Sequence, residues 1–284
     1  MERVPSFSTS LIAGGAAGLA VDLSLYPLDT LKTRLQSSLG FWKSGGFRNV
    51  YRGIAPAAAG SVPCAALFFC SYNSCKNNLG NLIRPDFQPV VHLVSASVGE
   101  IAASSIRTPV EVIKQRLQAS VTKHSALQLT INLWREEGIK GFYRGLGSTI
   151  LREVPFSCLQ FPLWEILKSS WQEKKGITLL PWEGALCGAI AGGFSAAITT
   201  PLDVAKTRIM LYSKSSHNPI ALPHEVPGVI DTLRTVYRGE GIQGLFSGIT
   251  PRVIWITIGG LIFFGVYEFS VYSLEDDSNK VLKN

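Results

Sequence analysis

The chain has 284 residues, 46% of them apolar and 17% charged, with a formal net charge of +7 and a mean hydropathy of +0.21. Such a length admits two soluble domains, but this apolar share, combined with internal repetition, argues for a membrane protein instead. The surplus of base does not indicate nucleic acid, because Lys and Arg gather between bilayer-length apolar segments with no recognition fold beside them; anionic lipid is the expected partner.

Six long helices are predicted in chain order, at roughly 8–36, 54–77, 90–118, 146–169, 182–210 and 249–272. They pair into three repeats, 1–80, 81–176 and 177–284, that form one structural domain. The expected fold is all-α: six transmembrane helices in three pseudo-symmetric two-helix repeats around a central cavity, with both termini on one side. Short amphipathic helices are predicted in the connections, at Leu127 to Glu137 and Val229 to Gly239. No clean run of twenty apolar residues occurs, because Asp22, Glu100, Arg107, Arg152 and Glu153 interrupt the apolar segments. Ionisable groups at that depth are costly unless they face a watery cavity or one another.

One phrase recurs near the end of each odd-numbered segment: Pro27-Leu28-Asp29-Thr30-Leu31-Lys32-Thr33-Arg34, Pro109-Val110-Glu111-Val112-Ile113-Lys114-Gln115-Arg116 and Pro201-Leu202-Asp203-Val204-Ala205-Lys206-Thr207-Arg208. The starts are 82 and 92 residues apart, longer than the usual solenoid periods. Each proline removes a backbone donor and crowds the preceding turn, so each odd segment should kink there and the bundle should close at that end. Upstream, Gly14 and Gly18, Gly184, Gly188 and Gly192, and more loosely Ser95 and Gly99, place small residues four apart for close helix packing. A second phrase opens each even segment: Gly46-x4-Tyr51-Arg52-Gly53, Gly138-x4-Tyr143-Arg144-Gly145 and Gly241-x4-Phe246-Ser247-Gly248. The distance from proline to closing glycine grows from 26 to 36 to 47 residues, so the repeats differ mainly in one connecting loop.

Other chemistries find little support. The five cysteines contain no C-x-x-C pair and the four histidines no metal-ligand spacing, so neither a disulfide framework nor a metal site is expected. The N-terminus shows no cleavable secretory signal. No G-x-G-x-x-G follows a strand and no nucleophile–base pair stands out, so an enzyme is not expected, nor a cofactor. A non-transporting scaffold would not need three kinks, three acid–base steps and a charged midplane.

With these motifs the chain resembles the mitochondrial carrier family from end to end. The P-x-[DE]-x-x-[KR]-x-[RK] signature stands in all three repeats, and the aromatic-basic-glycine continuation stands in two, with Ser247 breaking the third. The resemblance implies a multi-pass carrier of the mitochondrial inner membrane, functional as a monomer, with its short connecting helices on the matrix side. It implies a matrix gate in which Asp29 pairs with Lys114, Glu111 with Lys206 and Asp203 with Lys32. Gln36 and Gln118 would brace two of these pairs, and Met210 holds the third bracing position. A cytosolic gate would use Asn73, Lys76, Glu165, Lys168 and Glu268, with Glu268–Lys76 the one full ion pair and Asn73 bonding Lys168. A strong matrix gate facing a weak cytosolic one implies a resting preference for the state open to the cytosol. Cardiolipin is the implied lipid, with Gly53, Gly145 and Gly248 as contact points.

The cavity residues narrow the cargo. Asp22 precedes Asp29 by seven residues and shares its helix face, while Glu100, Ser104, Arg107 and Glu111 fall along one stripe. Arg152, Glu153 and Trp255 occupy the heights at which the family places its substrate contacts. Arg152 suits a carboxylate, and Glu153, Asp22 and Glu100 favour a cation. The expected cargo therefore carries an α-amino acid end and a further positive charge. A basic amino acid such as ornithine meets that description, whereas an adenine nucleotide would need more bases than are present.

Overall fold

A computed structural model describes residues 7–80, 88–120, 125–176, 180–212 and 228–281. Every regular element among them is a helix: α1 (Phe7–Gln36), α2 (Ile54–Gly80), α3 (Gln88–Ala119), α4 (Ala126–Phe142), α5 (Leu146–Lys175), α6 (Pro181–Ile198), α7 (Thr200–Leu211), α8 (Val229–Leu245) and α9 (Ile249–Val281). Among the described residues, by length and composition α2 alone, over Ile54–Leu79, could cross a membrane unaided; α6 with α7, and α8 with the first part of α9, reach that threshold as bent pairs. Of the ionisable residues inside the other long helices, Glu100 pairs with Arg107 on α3, and Arg152 pairs with Glu153 on α5.

Local chemistry sets the helix ends. Ser125 caps α4 in a reciprocal box, its hydroxyl accepting from the Gln128 amide while the Gln128 side chain accepts from the Ser125 amide. Pro181 starts α6, where Glu183 accepts from the Leu180 amide at 2.8 Å and from Lys175 at 2.5 Å, joining the end of α5 to the start of α6. Gly176 closes α5 in the left-handed region. The α4 and α8 segments break at equivalent glycines, Gly138 (φ 61°, ψ −156°) and Gly241 (φ 66°, ψ −158°), so the amphipathic helices end close to the predicted positions. In the first repeat the shorter connection, 37–53, is a series of turns over which Phe41, Trp42 and Phe47 pack edge to face.

The expected kinks are not equal. Pro27 and Pro109 lie within continuous helices, whereas the third odd segment divides into α6 and α7 at Thr199, two residues before Pro201, with a 66° bend. A proline removes one hydrogen bond but does not by itself compel a break. Thr199 and Thr200 precede Pro201, and both hydroxyls bond back to carbonyls four residues earlier, which favours bending at this point.

Packing runs in a cycle: α2 lies against α3, α5 against α6 and α7, and α9 against α1, so the last helix meets the first. At one end α1, α3 and α7 also meet one another. The closing glycine of each second phrase makes the approach possible. Gly53, Gly145 and Gly248 have φ of 91°, 88° and 75°, a region open to glycine. A Cβ on Gly53 would lie 3.2 Å from the Lys114 carbonyl oxygen, one on Gly145 2.7 Å from Met210 Cγ, and one on Gly248 3.3 Å from the Lys32 carbonyl oxygen. Each even helix thus starts against the last turns of the next odd helix.

Candidate functional site

Where α1, α3 and α7 meet, the three acids and three lysines of the repeated phrase form three ion pairs. Lys114 Nζ lies 2.8 Å from Asp29 Oδ2, Lys206 Nζ 2.7 Å from Glu111 Oε1 and Lys32 Nζ 2.8 Å from Asp203 Oδ2. Every acid takes its base from a different helix, in the order first to second, second to third, third to first. The i,i+3 spacing within one helix would allow a purely local pair; three helix ends meeting at a common centre direct the bases across instead.

Two amides support the ring. Gln118 Nε2 donates to Asp29 Oδ2 at 3.0 Å, and its oxygen accepts from Thr33 at 2.9 Å. Gln36 Nε2 donates to Asp203 Oδ2 at 2.9 Å, and its oxygen accepts from Thr207 at 2.7 Å. Met210, at the third such position, is fully buried and packs with Val112 and Leu133. Glu111 receives its amide from Gln115, 3.1 Å away on its own helix, a contact that the bracing pattern does not reveal. Gln118→Ala is expected to cost about 2 kcal/mol, since it orphans groups buried with a charge. Thermal unfolding of the purified variant should show a clear loss.

Below the ring the last arginine of each phrase fastens helix end to helix end. Arg34 Nε donates to the Gln118 carbonyl at 2.8 Å, Arg116 Nε to that of Met210 at 3.2 Å and Arg208 Nε to that of Gln36 at 3.1 Å. Cations there complement the carbonyl ends of the helices. The second phrase adds Arg52 to the Ser120 carbonyl at 2.6 Å, Arg144 to that of Tyr212, and Ser247 to that of Leu35 at 2.5 Å. Ser247, which departs from the basic pattern, therefore makes a neutral version of the same link.

The groups expected to meet cargo lie on α1, α3, α5 and α9. Asp22 is half-buried on α1, two turns before Asp29. Glu100 pairs with Arg107 along α3, and Arg152 pairs with Glu153 on α5. Arg152 Nε also stands 3.8 Å from Asp203 Oδ1, so the candidate substrate base already touches the ring. Trp255 is half-buried on α9. One participant is not marked by the sequence motifs: Arg252, 2% exposed, lies 3.5 Å from Asp203 Oδ2. Its place four residues after Gly248 is the available signal, but no charged residue occupies that place in the other repeats.

At the opposite end Lys168 Nζ sits 4.2 Å from the centre of the Trp164 ring, while Trp164 Nε1 donates to the Gly184 carbonyl. Asn73 and Glu165 are exposed and Lys76 is half-buried. The Glu268 side chain lies outside the described residues. Among the described residues no cluster of His, Cys, Asp and Glu could hold a metal ion.

The family profile described as "Mitochondrial carrier protein" matches residues 3–41, 39–82, 85–175 and 178–278. The chain belongs to the mitochondrial carrier family. It is accordingly a multi-pass protein of the mitochondrial inner membrane, in a family of transporters. The chain is 53% identical over 268 residues to the mitochondrial S-adenosylmethionine carrier protein of Xenopus laevis, covering 94% of this chain and 97% of that one. It is 50% identical over 264 residues to the protein of the same name from Mus musculus, covering 93% and 94%. It is 51% identical over 266 residues to the S-adenosylmethionine mitochondrial carrier protein homolog of Drosophila melanogaster, covering 93% and 92%.

Proposed function

We propose that this carrier brings S-adenosylmethionine into the matrix in exchange for S-adenosylhomocysteine, by alternating access through six spans arranged as three repeats. The observation that carries the reading is the junction of α1, α3 and α7, where three interhelical ion pairs bar one end of the bundle beside a charged midplane. Relatives at 50–53% identity that bear the S-adenosylmethionine carrier name select the cargo. The cargo's chemistry matches that midplane: Arg152 receives the carboxylate, Glu153 the ammonium, and Asp22 the ammonium or sulfonium. Trp255 stacks on adenine or faces the sulfonium, and Glu100, held by Arg107, adds negative potential. Exchange follows from the chemistry, because methyl transfer in the matrix yields the demethylated molecule.

The ring of Asp29, Lys32, Glu111, Lys114, Asp203 and Lys206, braced by Gln36 and Gln118, acts as the matrix gate. Asn73, Lys76, Glu165, Lys168 and Glu268 act at the cytosolic mouth. The cargo opens the closed end only to the extent that it binds the open form better. Cardiolipin binds at the starts of α2, α5 and α9 beside Gly53, Gly145 and Gly248, where backbone amides face the matrix surface. The monomer is the working unit, and neither nucleic acid nor a catalytic step is involved.

Counter-exchange in liposomes tests the reading. Wild-type protein should take up labelled S-adenosylmethionine against internal S-adenosylhomocysteine, and external S-adenosylhomocysteine should compete where ornithine does not. Arg152→Ala and Glu153→Gln should each lower uptake about tenfold or more, the loss expected for a charge-assisted contact. Competition by ornithine alone would transfer the assignment to basic amino acids, and wild-type uptake by both variants would displace the site.

A further inference from the structure

Asp203 differs from the other two acids of the ring. Asp29 and Glu111 each meet one lysine and one amide, whereas Asp203 meets Lys32 at 2.8 Å, Gln36 at 2.9 Å, Arg252 at 3.5 Å and Arg152 at 3.8 Å. Two of those cations come from outside the three ring helices, on α9 and α5. The other repeats have Ala57 and Thr149 where the third has Arg252, four residues after the closing glycine.

Arg252 is also bound to the one odd helix that breaks. Its Nη1 donates to the Thr199 carbonyl at 3.0 Å and its Nη2 to Thr199 Oγ1 at 2.9 Å. The same carbonyl accepts the Asp203 amide at 3.2 Å. The Thr199 hydroxyl donates in turn to the Ser195 carbonyl at 2.8 Å. One guanidinium on α9 therefore holds Thr199, the residue at the bend between α6 and α7, and faces the acid that begins the gate sequence of α7.

We propose that Arg252 is a positioning residue that clamps the α6–α7 bend and keeps Asp203 neutralised when Arg152 turns from Asp203 to the cargo's carboxylate. The proposal rests on the carrier reading. Its physical content is a division of labour between two arginines on one carboxylate. Arg152 has its second partner, Glu153, on the cargo side and can leave. Arg252 is buried, is fixed by two hydrogen bonds to Thr199, and stays. Without Arg252, departure of Arg152 would leave Asp203 with Lys32 as its one close cation and Thr199 without its donors from α9.

Amide hydrogen exchange on the purified full-length protein without cargo reads the clamp directly. Arg252→Gln should accelerate exchange across 200–206 by about tenfold or more, the loss expected for two charge-assisted hydrogen bonds. Arg252→Lys, which keeps the charge and one donor, should recover most of the protection. Because the charge acts on Asp203, thermal losses in Arg252→Gln and Asp203→Asn should be strongly non-additive, the double variant losing less than the sum of the singles. Unchanged exchange in Arg252→Gln, or additive losses, would overturn the proposal. Should Arg252→Gln not fold, Thr199→Val removes one of the two Arg252 bonds, together with the hydroxyl's bond to the Ser195 carbonyl, and should give a smaller acceleration over the same segment; no acceleration there also overturns it. Liposome transport separates the two levels. A wild-type protein inert towards S-adenosylmethionine, with the exchange result intact, defeats the cargo assignment and leaves the clamp. Wild-type transport together with normal transport and protection in Arg252→Gln defeats the clamp alone.

Discussion

Asp203→Ala is expected to abolish exchange and to destabilise the protein by about 3–5 kcal/mol, the usual consequence of removing one member of a buried charge group. Asp203 is 2% exposed, and its loss leaves Lys32, Arg152 and Arg252 facing one another without their common anion. Asp29→Ala and Glu111→Ala each strand mainly one lysine, and both acids are partly exposed, so their cost should be smaller. Thermal unfolding of the three variants side by side gives the ranking. Equal losses would show that the two arginines contribute nothing at Asp203, and the picture of a dominant third link would have to be abandoned.

The features legible in the sequence are those that repeat. Three copies of an acid and a base at fixed spacing, each beside a proline, locate the ring, and the glutamines four residues after Lys32 and Lys114 announce their own roles. The positive-φ glycines stand out for the same reason, since a close approach used three times leaves three glycines. Features that depend on one repeat alone stay hidden. Arg252 has no counterpart at Ala57 or Thr149, so no pattern marks it. The break at Thr199 depends on two adjacent hydroxyls before Pro201, a local competition that proline position does not reveal. Gln115 escapes because it braces Glu111 along its own helix while the other two amides reach across. The pairing of Glu100 with Arg107 lies within sequence reach, being seven residues along one face, but a stripe shows alignment and not which members bond.

Glu137→Gln is the second large effect, and it sets burial against mere proximity. Glu137 and Glu240 occupy the same place before the glycines Gly138 and Gly241, and each accepts from the last arginine of its repeat's phrase: Arg116 at 3.2 Å and Arg208 at 2.6 Å. By distance alone the Glu240 pair looks the stronger. The Glu137 side chain, however, is 1% exposed and also holds Arg144 at 2.6 Å, whereas that of Glu240 is 45% exposed and Arg208 keeps its bond to the Gln36 carbonyl. Burial lowers the Arg144 pKa while the Glu137 charge opposes it, so the carboxylate helps this guanidinium to stay charged away from water. Neutralising Glu137 would leave two enclosed guanidiniums without an anion, for a cost of about 3–5 kcal/mol. Glu240→Gln should cost less than about 1 kcal/mol, in the range of solvent-exposed pairs. Denaturation of the two variants in the same detergent decides between burial and distance. A Glu240→Gln loss equal to or greater than that of Glu137→Gln would mean that pair length governs these links, and the primacy of Asp203 and Arg252, which rests on their burial, would fall with it.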